Sequence, residues 1–376
     1  MKTLYVHIGS PKTGTSAIQR FLHLNTRVLY EKGFIFRQMP FQTDFSHDYI
    51  GVGTNRNGYF LHETGTDYFK KGLGCLSDWF REKDSIILSD EGLYNKAGRK
   101  GTESGLKEYA DQNNIQVRII LYLRRQDELV ESYYRQSMKD NMNNTLPISS
   151  YTDRRLEKDD YAAKIACFSD VFGKESVCVR LYDPAGWKAA NTNIFADFLS
   201  CVGLSLTDEF AMPGREVNTS LSCNAAEIKR IVNQVDPYIK PEHKFKVNRM
   251  FNSAGAKCSV LSPDKEKYTI LSEEERRKVL DRVRESNDQV AKEYLDQDHL
   301  FPEDIPEAPV WDKENPDLLD DVILYYALVT ARLQERLLKQ QEDLKKIKRF
   351  IPFFWPQLFR EWREKRKNRE AKDSTP

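Results

Sequence analysis

The chain has 376 residues, of which 40% are hydrophobic and 31% are charged, and its formal net charge is +1. This length allows one large α/β domain with appendages, or two ordinary domains. The balance of apolar and charged residues excludes bulk disorder. The near-zero net charge excludes a generally basic nucleic-acid binder, so we expect no nucleic-acid partner.

Cysteine and histidine spacing argues against a metal site. No two cysteines have the C-x-x-C spacing that zinc and redox sites usually show, so we expect reduced and mostly buried thiols. The histidines form no H-E-x-x-H or paired motif, and we predict no metal. The dispersed cysteines are Cys75, Cys167, Cys178, Cys201, Cys223 and Cys258.

The chain shows neither a secretory signal nor a membrane-spanning run. Its first apolar stretch, Leu4 to Ile8, runs straight into a glycine loop instead of a small-residue cleavage site. No uninterrupted apolar run approaches the length of about 18 residues that a span requires. We therefore expect a cytoplasmic protein.

The first third of the chain predicts a strand, a loop, a helix and a second strand. "TLYVHIG" at residues 3–9 is a short β-rich run, and residues 16–33 place apolar side chains at helical spacing before Gly33. "FIF" at residues 34–36 predicts a short strand. Residues 38–74 are polar, rich in glycine and without strong periodicity, so we expect an irregular, substrate-facing region.

Three further apolar runs predict buried parallel strands. "SIILSDE" from Ser85 ends in acids, "VRIILYLRR" from Val117 ends in arginines, and "SVCVRLYD" begins at Ser176. "DELVESYYRQSMK" from Asp127 continues the second of these as a helix. Strands that alternate with helices predict an α/β fold, a P-loop-like doubly wound sheet that is mainly parallel, with functional groups at the carboxyl ends of the strands.

The last part of the chain predicts helices. Residues 218–295 are helical and strongly charged in pattern, and Ser272 is the expected cap of one helix. We predict an α/β domain over residues 1–300, a connector with four prolines over 301–317, and a C-terminal helical extension with an aromatic and basic tail over 318–376. Such a tail is suited to lying on an anionic membrane surface, or to packing on the domain or on a partner subunit.

The loop "GSPKTGTS" at residues 9–16 has the features of an oxyanion cradle. A strand, a tight turn at Gly14 and a helix starting near Ser16 aim backbone N–H groups and the helix dipole at an anion. In a nucleotide-triphosphate P-loop the lysine follows the second glycine directly, but here Thr15 fills that place and Lys12 lies inside the loop.

Residues 11–16 resemble the 5′-phosphosulfate loop of sulfotransferases that use PAPS (3′-phosphoadenosine 5′-phosphosulfate), which reads P-K-[ST/A]-G-T-[TS]. The resemblance implies that Lys12 contacts the 5′-phosphate and the bridging oxygen of the sulfonate. It also implies PAPS as the donor, with no metal. The residues that it assigns to the loop are Pro11, Lys12, Thr13, Gly14, Thr15 and Ser16.

A second signature of that family is a strand followed by an arginine and, eight residues later, a serine, both of which bind the 3′-phosphate. "LYLRRQDELVESYY" gives Arg124 and Ser132 at this separation. A guanidinium and a hydroxyl suit a phosphate monoester. The family usually has Asn-Pro or Asp-Pro after the arginine, and Arg125-Gln126 departs from this, so Arg124 and Arg125 both stay candidates.

Sulfonate transfer needs a general base for the acceptor hydroxyl. Glu91, at the end of "IILSDE", lies where the family places its base, with Asp90 as a close rival and His47 as a weaker one. An acidic helix cap is the structural alternative for this carboxylate. Tyr182 resembles an aromatic residue that packs on adenine in the family, and a core position is its structural alternative.

The resemblance covers about residues 1–225 and favours the bacterial carbohydrate and heparan-sulfate-type branch. It implies transfer of a sulfonate to a hydroxyl or amine of a carbohydrate or glycolipid, in the cytoplasm or at the inner face of the membrane. A homodimer is left open. Two alternatives remain: a P-loop NTPase or kinase in which the acid of "IILSDE" holds Mg²⁺, and a non-catalytic membrane-associated scaffold.

Overall fold

The structure is a computed structural model that describes residues 1–41, 56–98, 101–139, 142–156, 159–214, 220–262, 267–305 and 307–372. Its sheet has the order β2-β3-β1-β4-β5, and every neighbouring pair of strands is parallel. The predicted α/β fold with a doubly wound parallel sheet is confirmed. The strands are β1 (Lys2–His7), β2 (Phe34–Ile35), β3 (Ser85–Ser89), β4 (Ile115–Leu123) and β5 (Val177–Leu181).

Helices surround the sheet and continue to the C-terminal region. Short 3₁₀ segments lie at Tyr59–Glu63, Lys174–Ser176 and Asn233–Tyr238, and a π-helical turn lies at Ala291–Leu295. The α-helices are α1 (Thr15–Leu24), α2 (Thr26–Glu31), α3 (Asp67–Glu82), α4 (Gly92–Lys96), α5 (Thr102–Gln112), α6 (Gln126–Ser137), α7 (Ile148–Leu156), α8 (Tyr161–Phe172), α9 (Pro184–Ala189), α10 (Ile194–Cys201), α11 (Cys223–Val232), α12 (Pro241–Leu261), α13 (Glu273–Val290) and α14 (Leu318–Lys372).

The sheet is buried on both faces, which explains why its strands read as continuous apolar runs. Successive side chains of β3 point to opposite faces: Ile86 and Leu88 join a core with α3, α5 and α8, whereas Ile87 joins a core with α1, α2 and α10. Each of these three side chains is fully buried. The two apolar cores therefore hold the sheet rigidly between helical layers.

The strand order reverses at β1, and this places the functional loops. β1 pairs with β3 on one side and with β4 on the other. Ligands of open α/β sheets bind where the order reverses, outside the carboxyl ends of the strands. The ends at His7, Ser89 and Leu123 therefore lie side by side, and Lys12, Glu91 and Arg124 follow these three ends in the chain.

The predicted helix over residues 16–33 is interrupted at Asn25. Helix α1 ends at Leu24 and α2 begins at Thr26, with Asn25 at φ −107° and ψ 21° between them. The Asn25 side chain donates to the carbonyl of Phe21 at 2.8 Å and accepts from the N–H of Ala211 at 2.7 Å. These bonds compete with the helical pattern, so the prediction of one continuous helix was wrong.

The prediction of irregular structure over residues 38–74 was wrong at its end, because α3 begins at Asp67. The side chain of Thr66 accepts the N–H of Phe69 and caps this helix. Gly72 lies inside the helix where a Cβ would collide with the ring of Phe60, so this glycine allows close packing rather than a turn. Residues 42–55, which include His47, lie outside the described residues.

The predicted cap of α13 is confirmed. The Ser272 hydroxyl accepts the N–H of Glu275, and the Glu275 carboxylate accepts the N–H of Ser272 at 2.8 Å, which together form a capping box. Helix α13 packs against α6 and α8. The capped helix therefore belongs to the helical layer around the sheet.

Contacts divide the chain into two compact units. The first comprises Met1–Ser137, Leu146–Asn218 and Thr269–Val310, and the second comprises Met138–Thr145, Thr219–Tyr268 and Trp311–Pro376. This grouping differs from the three predicted segments, because α11 and α12 pack with α14 in the second unit. The predicted domain boundaries at residues 300 and 317 stay a prediction.

The second unit has its own small core and polar network. Tyr325 and Val329 of α14 and Ala254 of α12 are buried in it. Asp321 is 1% exposed and accepts hydrogen bonds from Asn224 at 2.9 Å and from Ser262 at 2.5 Å. Along the described part of the chain, no helix combines the length and apolar character that crossing a bilayer would take.

Candidate active site

The loop between β1 and α1 has a backbone that depends on two glycines. Gly9, Lys12 and Gly14 have φ of 49°, 70° and 78°, in the left-handed region that favours glycine. A Cβ on Gly9 would lie 2.6 Å from Oγ1 of Thr15, and a Cβ on Gly14 would lie 2.5 Å from Cδ1 of Ile194. The chain therefore bends tightly and approaches its neighbours closely at both glycines.

The polar groups of this loop are arranged as an anion site. Among the described residues, the hydroxyls of Ser10 and Thr15 are buried and have no hydrogen-bond partner. Gly14 is the first flanking residue of α1, and no side chain caps this helix end. A helix N-terminus without a cap attracts anions, and buried hydroxyls need a partner. A bound oxyanion would satisfy both.

Arg124 reaches back from the end of β4 to this loop. Its Nη1 lies 3.3 Å from the carbonyl oxygen of Lys12, and its guanidinium carbon lies 5.4 Å from the ring centre of Tyr182. Its Nε donates to Glu128 at 3.1 Å. The Arg124 side chain and the loop therefore lie next to each other at the edge of the sheet.

Arg125 is turned into the structure. Its side chain is 8% exposed and donates to the two carboxylate oxygens of Asp127 at 2.8 and 3.0 Å. It also donates to the carbonyl of Asp304 at 2.6 Å. Of the two arginines left open by the sequence, Arg124 is the one that contacts the loop, and Arg125 is held in a buried ion pair.

Ser132 lies on α6, eight residues after Arg124, and is half-buried. Arg124 lies two residues before α6, which begins at Gln126, whereas Ser132 lies inside the helix. Glu128, between them in the chain, pairs with the Arg124 guanidinium, so an anion at Arg124 would compete with this carboxylate.

The two acids after β3 lie in different environments. Asp90 is fully buried, forms an ion pair with Arg56, accepts the N–H of Gly92 at 2.7 Å and lies 3.5 Å from Nε2 of His62. Burial raises the pKa of Asp90, but the nearby His62 and Arg56 outweigh it, so the pKa lies below its ordinary value. A carboxylate held in this way is a weak proton acceptor and fixes Arg56 instead.

Glu91 is half-buried and carries a carboxyl oxygen without a partner among the described residues. Burial raises the pKa of its carboxyl above the ordinary value, while the charges of Arg56 and Lys12 oppose the rise. The unpartnered oxygen is the buried Oε2, and the side chain does not cap α4. Glu91 follows the carboxyl end of β3 and Lys12 follows that of β1, and these two strands are neighbours in the sheet.

A neutral histidine lies beneath the loop. Nδ1 of His7 is 2.9 Å from Oγ of Ser89, and Gln19 donates to the same oxygen at 3.2 Å. Burial lowers the pKa of His7 to about 3, although Asp90 opposes this. The imidazole therefore stays uncharged at neutral pH and supports the loop without adding to its positive charge.

Tyr182 forms one wall of an open cleft beside the loop. Its N–H donates to the carbonyl of Leu123 at 2.7 Å, and its ring meets that of Trp187 edge-on with centres 5.5 Å apart. The cleft encloses about 430 Å³ and is also lined by Gly14 and Ile194. A half-buried aromatic ring at the wall of such a cleft could pack on a planar base.

The structure thus brings Lys12, Glu91, Arg124 and Tyr182 to one edge of the sheet. The sequence did not reveal Arg56 and His62, which follow an irregular polar segment without periodicity. It also did not reveal His7, although a histidine inside an otherwise apolar strand next to the loop was a visible signal.

No family model matches the chain. An uncharacterized protein of Archaeoglobus fulgidus is 30% identical over 197 residues, which are 50% of this chain and 49% of that protein. The chain therefore spans about half the length of this curated relative. Because that relative is uncharacterized, it suggests no activity.

Two solved structures are similar in fold. A sulfotransferase from Alicyclobacillus acidocaldarius has a TM-score of 0.36 and 16% identity, over 62% of this chain and 95% of its own. A mouse sulfotransferase complexed with PAP has a TM-score of 0.34 and 11% identity, over 67% of this chain and 84% of its own. At such low identities and TM-scores, neither neighbour assigns an activity to this chain.

Proposed function

We propose that this chain is a PAPS-dependent sulfotransferase, which moves a sulfonate group from PAPS to a hydroxyl or amine of a carbohydrate or glycolipid. The observation that carries the proposal is the convergence of Arg124 on the loop of Lys12, with Glu91 in the same site. Two cations and a carboxyl of raised pKa are what transfer of an anionic group to a hydroxyl requires.

The loop residues fit the 5′ end of the donor. The unpartnered hydroxyls of Ser10 and Thr15 and the uncapped start of α1 would hold its anionic oxygens. Gly9 and Gly14 keep the backbone free of side chains at this point. Arg124 and Ser132 would hold the 3′-phosphate, and the ring of Tyr182 would lie beside the adenine.

PAPS supplies an activated sulfonate joined to a phosphate leaving group. Glu91 accepts the proton of the acceptor hydroxyl as the new bond between oxygen and sulfur forms, and its raised pKa makes it a better proton acceptor than an ordinary carboxylate. Lys12 stabilises the negative charge that develops on the phosphate as the old bond between sulfur and oxygen breaks. Asp90 holds Arg56 in place beside Glu91.

The hydroxyl of Tyr133 supports the choice of acceptor. It is buried without a hydrogen-bond partner among the described residues. Burial is the main cause of the raised pKa of Tyr133, and the guanidinium of Arg155 covers one face of its ring, 3.6 Å from the ring centre. The unpaired hydroxyl is therefore the group of Tyr133 that would bind a sugar hydroxyl.

The proposal also includes the cellular compartment in which the protein acts and the surface that its tail contacts. We place the reaction in the cytoplasm, and we expect the basic tail after Phe350 to contact the inner face of the membrane, where a glycolipid acceptor would be found. Co-sedimentation with anionic vesicles, compared with a chain truncated after Phe350, tests the tail. Equal binding of both proteins would overturn the membrane part alone.

A transfer assay tests the activity directly. Labelled PAPS is incubated with the protein and a panel of bacterial glycans and glycolipids, and label in the acceptor is measured. We expect transfer by the wild type and by Asp90→Glu, and none by Glu91→Gln. Transfer by Glu91→Gln at the wild-type rate would remove Glu91 from the mechanism.

The P-loop NTPase is the second candidate, and the environment of Asp90 disfavours it. A Mg²⁺ ligand needs a carboxylate that is open to the metal, whereas Asp90 is fully buried and paired with Arg56. Hydrolysis of Mg-ATP that is abolished by Asp90→Asn, without binding of adenosine 3′,5′-bisphosphate, would favour this alternative. Full cellular function of Lys12→Ala and Arg124→Ala proteins would favour a scaffold.

A further inference from the structure

Helix α14 carries an exposed apolar stripe along one side. The spacing of its members alternates between four and three residues, with Thr330 and Gln340 filling the two remaining places. Their exposed fractions run from 44% to 68%. The stripe, which we call the α14 stripe, consists of Leu319, Ile323, Tyr326, Leu333, Leu337, Leu344 and Ile347.

The α14 stripe is not the side that holds the helix to its own unit. That role belongs to Asp321, Tyr325 and Val329, which are buried against α11 and α12. From Leu333 to Ile347 every residue of the helix is exposed. The apolar side chains of the stripe therefore have no cover within the described part of the chain.

The spacing identifies the kind of surface that covers the stripe. Alternation of four and three residues is the seam of a coiled coil, which is narrower than the face with which a helix packs on a globular core. In this register Ile323, Leu337 and Leu344 take a positions, and Leu319 and Leu333 take d positions. From Leu319 to Ile347 the seam spans about four heptads.

We propose that a second copy of this chain covers the α14 stripe, and that the two helices form a parallel, in-register coiled coil. A second copy presents an identical seam, so in register each apolar position of the stripe meets the same apolar position of its partner.

The polar members of the seam support the parallel orientation. In register, Thr330 meets Thr330 of the second copy and Gln340 meets Gln340, so polar layers pair with polar layers. An antiparallel pair that also matches Thr330 with Gln340 brings Arg336 against the Arg336 of the second copy. Two arginines facing each other at g positions repel, which disfavours this antiparallel alignment.

Two neighbouring leucines provide a matched test. Leu337 is 57% exposed and lies on the seam, whereas Leu338 is 56% exposed and lies off it, at a b position. The mass of the full chain is measured by sedimentation equilibrium for the wild type, Leu337→Asp and Leu338→Asp. We expect the wild type and Leu338→Asp at about twice the chain mass of 43.9 kDa. Leu337→Asp should weaken the dimer by more than about 100-fold, because the seam would bury an unpaired carboxylate.

Orientation is tested by cysteine cross-linking. Gln340→Cys should give a disulfide-linked dimer on mild oxidation, and Lys339→Cys, one position off the seam, should give none above the background of the native cysteines. A wild type that sediments as one chain, or equal weakening by both aspartate variants, would overturn the proposal. A monomer that binds anionic vesicles through the stripe would also overturn the proposal. A dimer that fails to cross-link through Gln340→Cys would overturn only the parallel register.

Discussion

The Nη1 atom of Arg124 lies 3.3 Å from the carbonyl oxygen of Lys12, so the residue after β4 reaches the loop after β1. The two residues are 112 positions apart in the chain. Parallel pairing of β1 with β4 brings them together, because it places the carboxyl ends of both strands at one edge of the sheet. The contact places the Arg124 guanidinium beside the backbone of the loop that carries Lys12.

Arg124→Ala should weaken binding of adenosine 3′,5′-bisphosphate by about 10- to 100-fold, because a charge-assisted hydrogen bond to phosphate contributes about 1.5–3 kcal/mol. Calorimetric titration measures the affinity. Arg27→Ala is the control, since Arg27 is 91% exposed and pairs only with Glu31 one turn away among the described contacts. Equal affinities of the Arg124→Ala protein and the wild type would remove Arg124 from the site.

Arg125→Ala should instead lower the free energy of unfolding, by about 3 kcal/mol, because it leaves the buried Asp127 carboxylate with a reduced set of partners. Arg276, which lies 2.7 Å from Asp127, limits the loss. Urea denaturation measures the change. Arg124→Ala, at a partly exposed side chain, should change this free energy by less than about 1 kcal/mol. A larger loss from Arg124→Ala than from Arg125→Ala would contradict the assignment of the two arginines.

Gly14→Ala tests the loop backbone, with Gly33→Ala as the matched control. Both glycines have positive φ, of 78° and 94°, so each substitution should cost about 1 kcal/mol in strain. Only the Cβ at residue 14 collides with Ile194, whereas nothing lies within 4 Å of a Cβ at residue 33. We expect about 1 kcal/mol of coupling between Gly14→Ala and Ile194→Ala in a double-mutant cycle. Additive effects of the two substitutions on the free energy of unfolding would show that residues 14 and 194 are not coupled.

Glu91→Gln and Asp90→Asn should change stability in opposite directions at pH 7. The folded pKa of Glu91 is raised from 4.5, so its ionisation lowers the free energy of unfolding as the pH rises from 4.5 through the folded pKa. The Gln variant does not lose this free energy and should be more stable than the wild type at pH 7. At pH 4 the difference between the two proteins should be much smaller, because the wild-type carboxyl is then mostly protonated. Thermal unfolding at both pH values measures the difference.

The ionisation of Asp90 has the opposite effect on the free energy of unfolding. Its folded pKa is lowered from 3.8, so its ionisation stabilises the fold above that pH, and this stability is lost as the pH falls through the folded pKa. Asp90→Asn should therefore be less stable than the wild type at pH 7, because Arg56 loses its buried partner. Destabilisation by both variants at pH 7 would show that Glu91 is a structural carboxylate like Asp90.

Much of the fold follows from the sequence because the sheet is buried on both faces. The runs that became β1, β3, β4 and β5 are mainly apolar, and the candidate site residues Lys12, Glu91 and Arg124 follow three of them in the chain. The choice between Arg124 and Arg125 could not be made, because it depends on Asp127 and Asp304, and contact with Asp304 is set by tertiary structure.

Other parts depended on contacts between distant residues. Asn25 breaks a helix because Ala211 bonds to it, and Gly72 fits inside α3 because Phe60 packs there. Neither partner is visible in local spacing. Arg56 reaches Asp90 from a segment without periodicity, so no local pattern indicated this ion pair. The spacing of the α14 stripe is visible in the sequence. Only the exposure of its side chains in the structure shows that this face of the helix is not packed against the chain's own core.

The central claim is that the loop after β1 and Arg124 bind the nucleotide of PAPS. Calorimetry of the wild type with adenosine 3′,5′-bisphosphate, and separately with ATP and Mg²⁺, tests it most directly, with Lys12→Ala as the comparison. We predict that the wild type binds the bisphosphate more tightly than ATP, and that Lys12→Ala weakens this binding by about tenfold or more. A wild type that binds ATP but not the bisphosphate would contradict the account.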